Sequence, residues 1–236
     1  MSVQSRRSGF FGIGRILRRI LRIFICIMLG WAATVVVLSV LYLVVPPIST
    51  LMIGDWIRGR AVQRIYVPLE QISTQLPLAV LTSEDSRFCD HSGVDWGALN
   101  DVIDAAGDDG PRRGASTIPM QTAKNLFLLP SRSYLRKGME LPLALYLDAL
   151  WSKRRMMEIY LNIAEWGEGI YGAEAAARYY FKKPARNLTR REATLLAAAL
   201  PNPTRRNPAS PGRGHQALAD RLSTRMNIEG PVDSCL

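Results

Sequence analysis

EDSRFCDHSGVD, residues 84–95, is the stretch on which the reading of this chain turns. Glu84 and Asp85 are followed at short fixed spacings by Arg87, Phe88, His91 and Gly93. Phe88 lies one helical turn after Glu84. Its apolar surface can therefore press on the carboxylate and lift its pKa toward that of a working base. Taken alone, a Glu on an amphipathic helix is a solvated surface acid, and His91 can serve merely to hold the turn at Gly93.

Two later blocks change that balance. GASTIPMQTAKNLFL (114–128) opens with Gly114 and the pair Ser116–Thr117. Ser116 or Thr117 is a plausible helix cap, and Pro119 suits the first turn of a helix running to about Leu128. Free backbone N–H groups at such a start favour an anion. Gln121 stands one turn before Lys124, with Asn125 beside it. Arg132 follows, and then RKGME (136–140) places Glu140 directly after Arg136 and Lys137. A charge run of this kind is ordinarily a solvated basic face. A carboxylate set among the cations instead suggests an organised cluster, because it can fix their orientation.

One base candidate beside a separate cationic pocket suits a transferase. A hydroxyl is deprotonated while a phosphorylated leaving group departs. A plain glycosidase would use paired carboxylates and would have no need of the cations.

Outward from these blocks, charge and hydropathy say where the site works. The 236 residues suit one domain of ordinary size plus an accessory segment. Net charge is +10, but the first 54 residues hold six Arg (6, 7, 15, 18, 19, 22) and no acid, which leaves 24 basic against 20 acidic residues elsewhere. The basicity is therefore a membrane-topology signal. No aromatic-interleaved basic pattern points to nucleic acid. Residues 23–45 carry no charge. As a helix they reach about 35 Å, enough for a hydrocarbon core of about 30 Å. The run exceeds a signal-peptide core and has no clean small-x-small site after it, so it reads as a retained anchor. Arginines before it and none just after, until Arg58, place the N-terminus in the cytoplasm and the rest outside.

Cys26 falls in the apolar run, which leaves Cys89 and Cys235 as the only pair downstream. Sequence does not bring them within bonding distance, and both are read as free. Two His, with no Cys-x-x-Cys and no His-Glu-x-x-His, argue against a dedicated zinc site.

The rest of the chain reads as helical. Pro46–Pro47 ends the span, 48–75 is a mixed connector, and a helical pattern starts at Pro77. Residues 104–114 are Gly-, Asp- and Pro-rich and read as a loop. A long helical stretch over about 134–163 is interrupted by Pro142, and 171–181 and 189–200 are two more helices, the second apolar and buried. After Pro201 the chain is turn-rich, with a short helical remnant near 215–226. No strand ladder and no internal repeat is visible, so the outward domain is mainly α.

EDSRFCDHSGVD, GASTIPMQTAKNLFL and RKGME, with WSKRRMMEIYLNIAEWGEGIYG (151–172) and AAARYYFKK (175–183), resemble the five motifs of the peptidoglycan glycosyltransferase family. They stand in the right order over about residues 65–205. Bifunctional relatives add a transpeptidase module with Ser-x-x-Lys and Lys-Thr-Gly motifs, which this chain lacks, so it most resembles the monofunctional members. The resemblance implies a mainly α, lysozyme-like two-lobed domain after one N-terminal transmembrane helix. The implied division is a basic N-terminus (1–22), the span (23–45), a juxtamembrane connector (46–64), the glycosyltransferase domain (65–205) and a C-terminal tail (206–236). It places the protein in a bacterial inner membrane, with a single pass, a cytoplasmic N-terminus and a periplasmic catalytic domain.

The implied substrate is lipid II, added to a growing glycan strand at the membrane lipid. Glu84 would deprotonate the acceptor 4-hydroxyl for an inverting attack. Lys124, Arg132 and Arg136 would stabilise the departing diphosphate, with Glu140 organising them. Asp85, Phe88, His91, Ser116, Thr117, Gln121 and Asn125 match positions that shape the groove, while Glu158, Tyr160 and Asn162 look structural. Met120 replaces a common Gln, so one polar groove contact is expected to be missing. Pro142 either starts a new helix or alters the geometry at Glu140. No protein metal ligands are assigned. A divalent Mg or Mn could bridge diphosphate and carboxylate, although the cations could suffice alone. Cell-division or wall-synthesis proteins are conceivable partners. The competing readings are a membrane-bound lytic enzyme, which leaves the cations idle, and a non-catalytic scaffold.

Overall fold

In the computed structural model, residues 7–105, 116–131, 133–228 and 232–236 are described. The chain divides into two units, Met1–Val45 and Pro46–Leu236. Of the expected loop at 104–114, all but its first two residues lies outside the described residues, as does Arg132.

The first unit is one helix, α1 (Arg7–Leu41), whose stretch Gly14–Leu41 is long and apolar enough to cross a membrane. It begins earlier than the uncharged run, because the Arg- and Leu-rich residues 15–22 are themselves good helix formers. Its last turn tightens, with Leu43 N–H bonding Val40 O and Val44 N–H bonding Leu41 O at 3.1 Å each. Pro46 then forbids continuation.

The second unit opens with α2 (Thr50–Ile57), capped by the Ser49 hydroxyl on Met52 N–H at 3.2 Å. After β1 (Gln63–Arg64) and a 3₁₀ turn at Leu69–Gln71 come α3 (Gln75–Glu84) and α4 (Trp96–Asp104). Next are α5 (Ile118–Phe127), α6 (Tyr134–Leu150) and α7 (Lys153–Ile163). β2 (Glu165–Gly167) and β3 (Ile170–Tyr171) lead into α8 (Ala173–Phe181), and α9 (Arg190–Ala199) and α10 (Arg213–Ile228) complete the order.

Two helical groups matter for the site. α3, α9 and α10 pack on one another, and α5 packs on α6 and α7. α9 buries Ala193 through Ala199 because its small side chains let neighbouring backbones approach. Glu158 and Asn162 of α7 serve the scaffold. The Asn162 side-chain amide pairs with Val67 N–H and C=O at 3.0 and 2.9 Å, and Glu158 accepts from Leu69 N–H at 2.9 Å.

Three expectations need correction. A small sheet exists, in the order β1-β3-β2, with β1 parallel and β2 antiparallel to β3. Strands of two or three residues are too short to show an alternating pattern. The helical remnant near the C-terminus is the 16-residue α10, packed on α9 through His215, Ala219, Leu222 and Met226. Spaced by four, three and four, these form a helical face, but His and Ala make it a weak apolar signal. Finally, Cys89 and Cys235 are not free. They form a disulfide with Cα atoms 5.6 Å apart across 146 positions of sequence. Such a distant pairing is set by the docking of α10 and has no local trace.

Candidate active site

The site assembles where α3 ends and α5 begins. Asp85 leaves the helical region (φ −164°, ψ 71°), so α3 stops with Glu84 as its last residue. The Asp85 side chain turns to the start of α5, accepting Ile118 N–H at 2.8 Å on one oxygen and His91 Nε2–H at 2.9 Å on the other. An anion at a helix N-terminus is favourable, and one at a helix C-terminus is not. Two adjacent carboxylates thus meet opposite ends of two helices.

The turn at Gly93 completes this join. Thr117 caps α5 by accepting Met120 N–H at 3.3 Å, and its hydroxyl donates to Gly93 O at 2.6 Å. Gly93 has φ +78°, and a Cβ there would lie 2.7 Å from the Ala144 carbonyl oxygen of α6. Only glycine fits. Within the loop Phe88 is buried and the His91 side chain is largely covered, with Lys153 Nζ bonding His91 O at 2.6 Å and lying 4.7 Å from the Phe88 ring centroid. Asp85, His91 and Thr117 therefore tie the loop to the start of α5.

Glu84 itself is held by neutral donors. Gln121 Nε2–H donates to one oxygen at 3.1 Å and the Ser83 hydroxyl to the other at 3.2 Å. Burial pushes the Glu84 carboxyl above its ordinary range, and the Asp85 charge adds to this. The two hydrogen bonds and the Lys124 charge oppose the rise without cancelling it. Tyr160, on α7, donates to Gln121 Oε1 at 3.2 Å. Burial holds its phenol well above the usual range, with the Glu84 and Asp85 charges reinforcing this, so it stays a neutral donor. Tyr160 thus reaches the site, at one remove from Glu84. The rest of its motif is scaffold, through Glu158 and Asn162, so the motif alone does not single Tyr160 out.

Gln121, Lys124 and Asn125 are the half-buried positions of α5 amid buried neighbours. Spacings of three and four put them on one stripe facing the groove. Burial lowers the Lys124 ammonium pKa, and the nearby Arg136 and Lys137 charges lower it further, while Glu140 and Glu84 raise it. Lys124, Asn125 and Arg136 line a cavity of about 510 Å³ with Thr50, Leu128 and Ser131. Thr50 closes one wall by donating to the carbonyls of Asn125 and Leu128 at 3.1 and 2.9 Å.

Glu140, 2% exposed, stands on the first turns of α6. One oxygen pairs with Arg136, and the other takes Lys137 Nζ at 2.7 Å. Lys137 also donates to Ser116 Oγ at 2.6 Å. It belongs with the predicted site residues, and its i,i+3 spacing to Glu140 was the available signal. α6 runs unbroken through Pro142, so Glu140 lies inside a helix and not at a new start. Met120 is no groove residue. It is 1% exposed and packs on Val94 and Ala144, so no polar groove contact is lost there.

Among the described residues no group of three or more His, Cys, Asp or Glu could hold a metal ion. Glu140 has both oxygens engaged by Arg136 and Lys137, so its carboxylate is not free to hold a divalent ion.

A family model described as transglycosylase matches residues 51–228, which include Glu84, Gln121, Lys124, Arg136 and Glu140 and begin one residue after Thr50. A biosynthetic peptidoglycan transglycosylase of Brucella suis biovar 1 (strain 1330) is 56% identical over 192 residues, covering 81% of this chain and 86% of its own. One from Agrobacterium fabrum (strain C58 / ATCC 33970) is 55% identical over 190 residues, 80% and 84% of the two chains. One from Rhizobium leguminosarum bv. trifolii (strain WSM2304) is 47% identical over 234 residues, 98% of each.

Proposed function

The chain belongs to the transglycosylase family, and on that premise we propose that it is a membrane-anchored enzyme polymerising lipid II into β-1,4-linked glycan strands. Glu84 takes the proton of the acceptor 4-hydroxyl as that oxygen attacks the anomeric carbon of the growing strand. The new C–O bond forms on the face opposite the diphosphate, whose C–O bond breaks with inversion. The electron pair leaves on undecaprenyl diphosphate, and the proton on Glu84 passes to water. Lys124 and Arg136 neutralise the charge growing on the leaving group, joined by Arg132, while Glu140 holds Arg136 and Lys137 in place.

The observation that carries this reading is the coupling of a desolvated Glu84 to Lys124, which with Arg136 lines a cavity of about 510 Å³. A base alone would suit hydrolysis as well. A base beside unspent positive charge suits departure of an anionic group without protonation. Further support comes from Ile53, Trp56 and Ile57 of α2 and from Leu129, Tyr134 and Leu135, which are exposed apolar side chains close in sequence to cavity residues. They offer apolar surface to a polyprenyl tail.

The six N-terminal arginines and the candidate span support a cytoplasmic N-terminus. The Cys89–Cys235 disulfide supports an oxidising, extracytoplasmic compartment for the catalytic unit. Purified protein, lipid II and the Glu84→Gln variant test the reading. Polymerisation by the variant at near the wild-type rate would remove Glu84 from its role. Release of soluble fragments from intact wall, with no consumption of lipid II, would favour the lytic enzyme.

A further inference from the structure

Cys89 sits in the middle of the loop between α3, which ends at the base, and α4, yet glycosyl transfer makes no use of its sulfur. Phe88 before it is wholly buried, and His91 two residues later holds Asp85. Cys235 reaches this loop from beyond α10. Its backbone N–H faces Cys89 Sγ at 3.2 Å, and the Leu236 N–H closes a turn on Asp233 O at 3.0 Å. Loop 85–95 is therefore fastened at four points. Asp85 holds Ile118 N–H, Thr117 holds Gly93 O and Lys153 holds His91 O. The fourth tie is covalent and joins the loop to the segment after α10, a helix packed on α3 itself.

We propose that the Cys89–Cys235 disulfide is a positioning element of the glycosyl-transfer site, holding loop 85–95 so that Asp85 keeps α5 in register with Glu84. The inference rests on the function proposed above. Glu84 is one peptide bond from Asp85, and Gln121 and Lys124 are carried by the helix that Asp85 caps. A shift of the loop therefore changes the base, its hydrogen-bond donor and its nearest cation together. Geometry held by supporting residues is what sets such rates. The oxidised protein is the fully active form. A dithiol would reduce it by exchange: two electrons and two protons pass to Cys89 and Cys235, and the dithiol becomes a disulfide.

The test uses the full chain in phospholipid vesicles, with Cys26→Ser as background to prevent scrambling. Cys235→Ser should lower kcat for lipid II about fivefold or more, leave KM within about twofold and displace the acid limb of the kcat–pH profile. Reducing the background protein with dithiothreitol should give the same loss and reoxidation should reverse it, while Cys235→Ser should respond to neither. Should Cys235→Ser fold poorly by near-UV circular dichroism, the reversible reduction carries the same readout on a folded protein. A folded Cys235→Ser with unchanged kcat and pH profile but a lower Tm would make the bridge a plain staple and overturn the proposal. So would thiol titration finding Cys89 and Cys235 reduced in the native, active protein. Failure of the oxidised protein to consume lipid II overturns both readings, whereas turnover indifferent to the bridge overturns this one alone.

Discussion

Glu84 and Glu140 are the same side chain, both act on the Lys124 charge, and they are built in opposite ways. Glu140 is 2% exposed and clasped by Arg136 and Lys137, one on each oxygen. Glu84 ends a helix and receives only the neutral donors Gln121 and Ser83. A buried carboxylate paired on both oxygens serves to hold its cations still. A carboxylate stripped of water and left without a close counter-ion gains affinity for a proton. On the function proposed above, one is a bracket and the other is a reagent.

Substitutions should pull these two apart. Glu84→Gln keeps the hydrogen-bonding shape and removes the base, so kcat on lipid II should fall about 10²–10⁴-fold. Its stability should hold or rise. The folded Glu84 binds its proton more tightly than the unfolded one. Stability therefore falls as pH rises from the unfolded toward the folded pKa, and the cost persists above it. Thermal unfolding of both proteins at neutral pH measures this.

Lys124→Ala should cost about 10²-fold in kcat. It should also move the acid limb of the kcat–pH profile upward, because the Lys124 charge is one of the forces lowering the Glu84 pKa. A limb that stays in place would uncouple the two groups. Glu140→Gln should lower activity about tenfold and, unlike Glu84→Gln, lower stability. Removing one partner of a fully buried pair costs about 3–5 kcal/mol. Lys137 is nearly half exposed, so about 2–3 kcal/mol is expected from urea unfolding. Met120→Gln should leave activity without gain and cost about 1–3 kcal/mol, because the amide would enter the Val94–Ala144 packing unpaired.

What was legible in the chain follows the range of the interactions. The Thr117 cap, the stripe of Gln121, Lys124 and Asn125, and the cations before Glu140 all depend on spacings of three or four residues, which sequence displays directly. The apolar N-terminal helix, long enough to cross a membrane, and the mainly α architecture are likewise carried by local composition. Met120 fell on the wrong side because its neighbours Val94 and Ala144 come from other elements. The same reason hid the Cys89–Cys235 bridge, the β1–β3 pairing and the grip of Tyr160 on Gln121.

The peptide between Glu84 and Asp85 joins two helix ends, and this decides where the groove can breathe. A hinge there would have to tear Ile118 N–H from a buried carboxylate, so thermal opening has its lowest barrier elsewhere. The first turn of α6 is the natural place, since Tyr134, Leu135 and Lys137 are exposed around Arg136. Hydrogen exchange should accordingly be slow at Ile118 and fast over residues 134–137. Slow exchange at residues 134–137 as well would show that the Glu140 pairs fasten Arg136 and Lys137 as firmly as Asp85 fastens the start of α5.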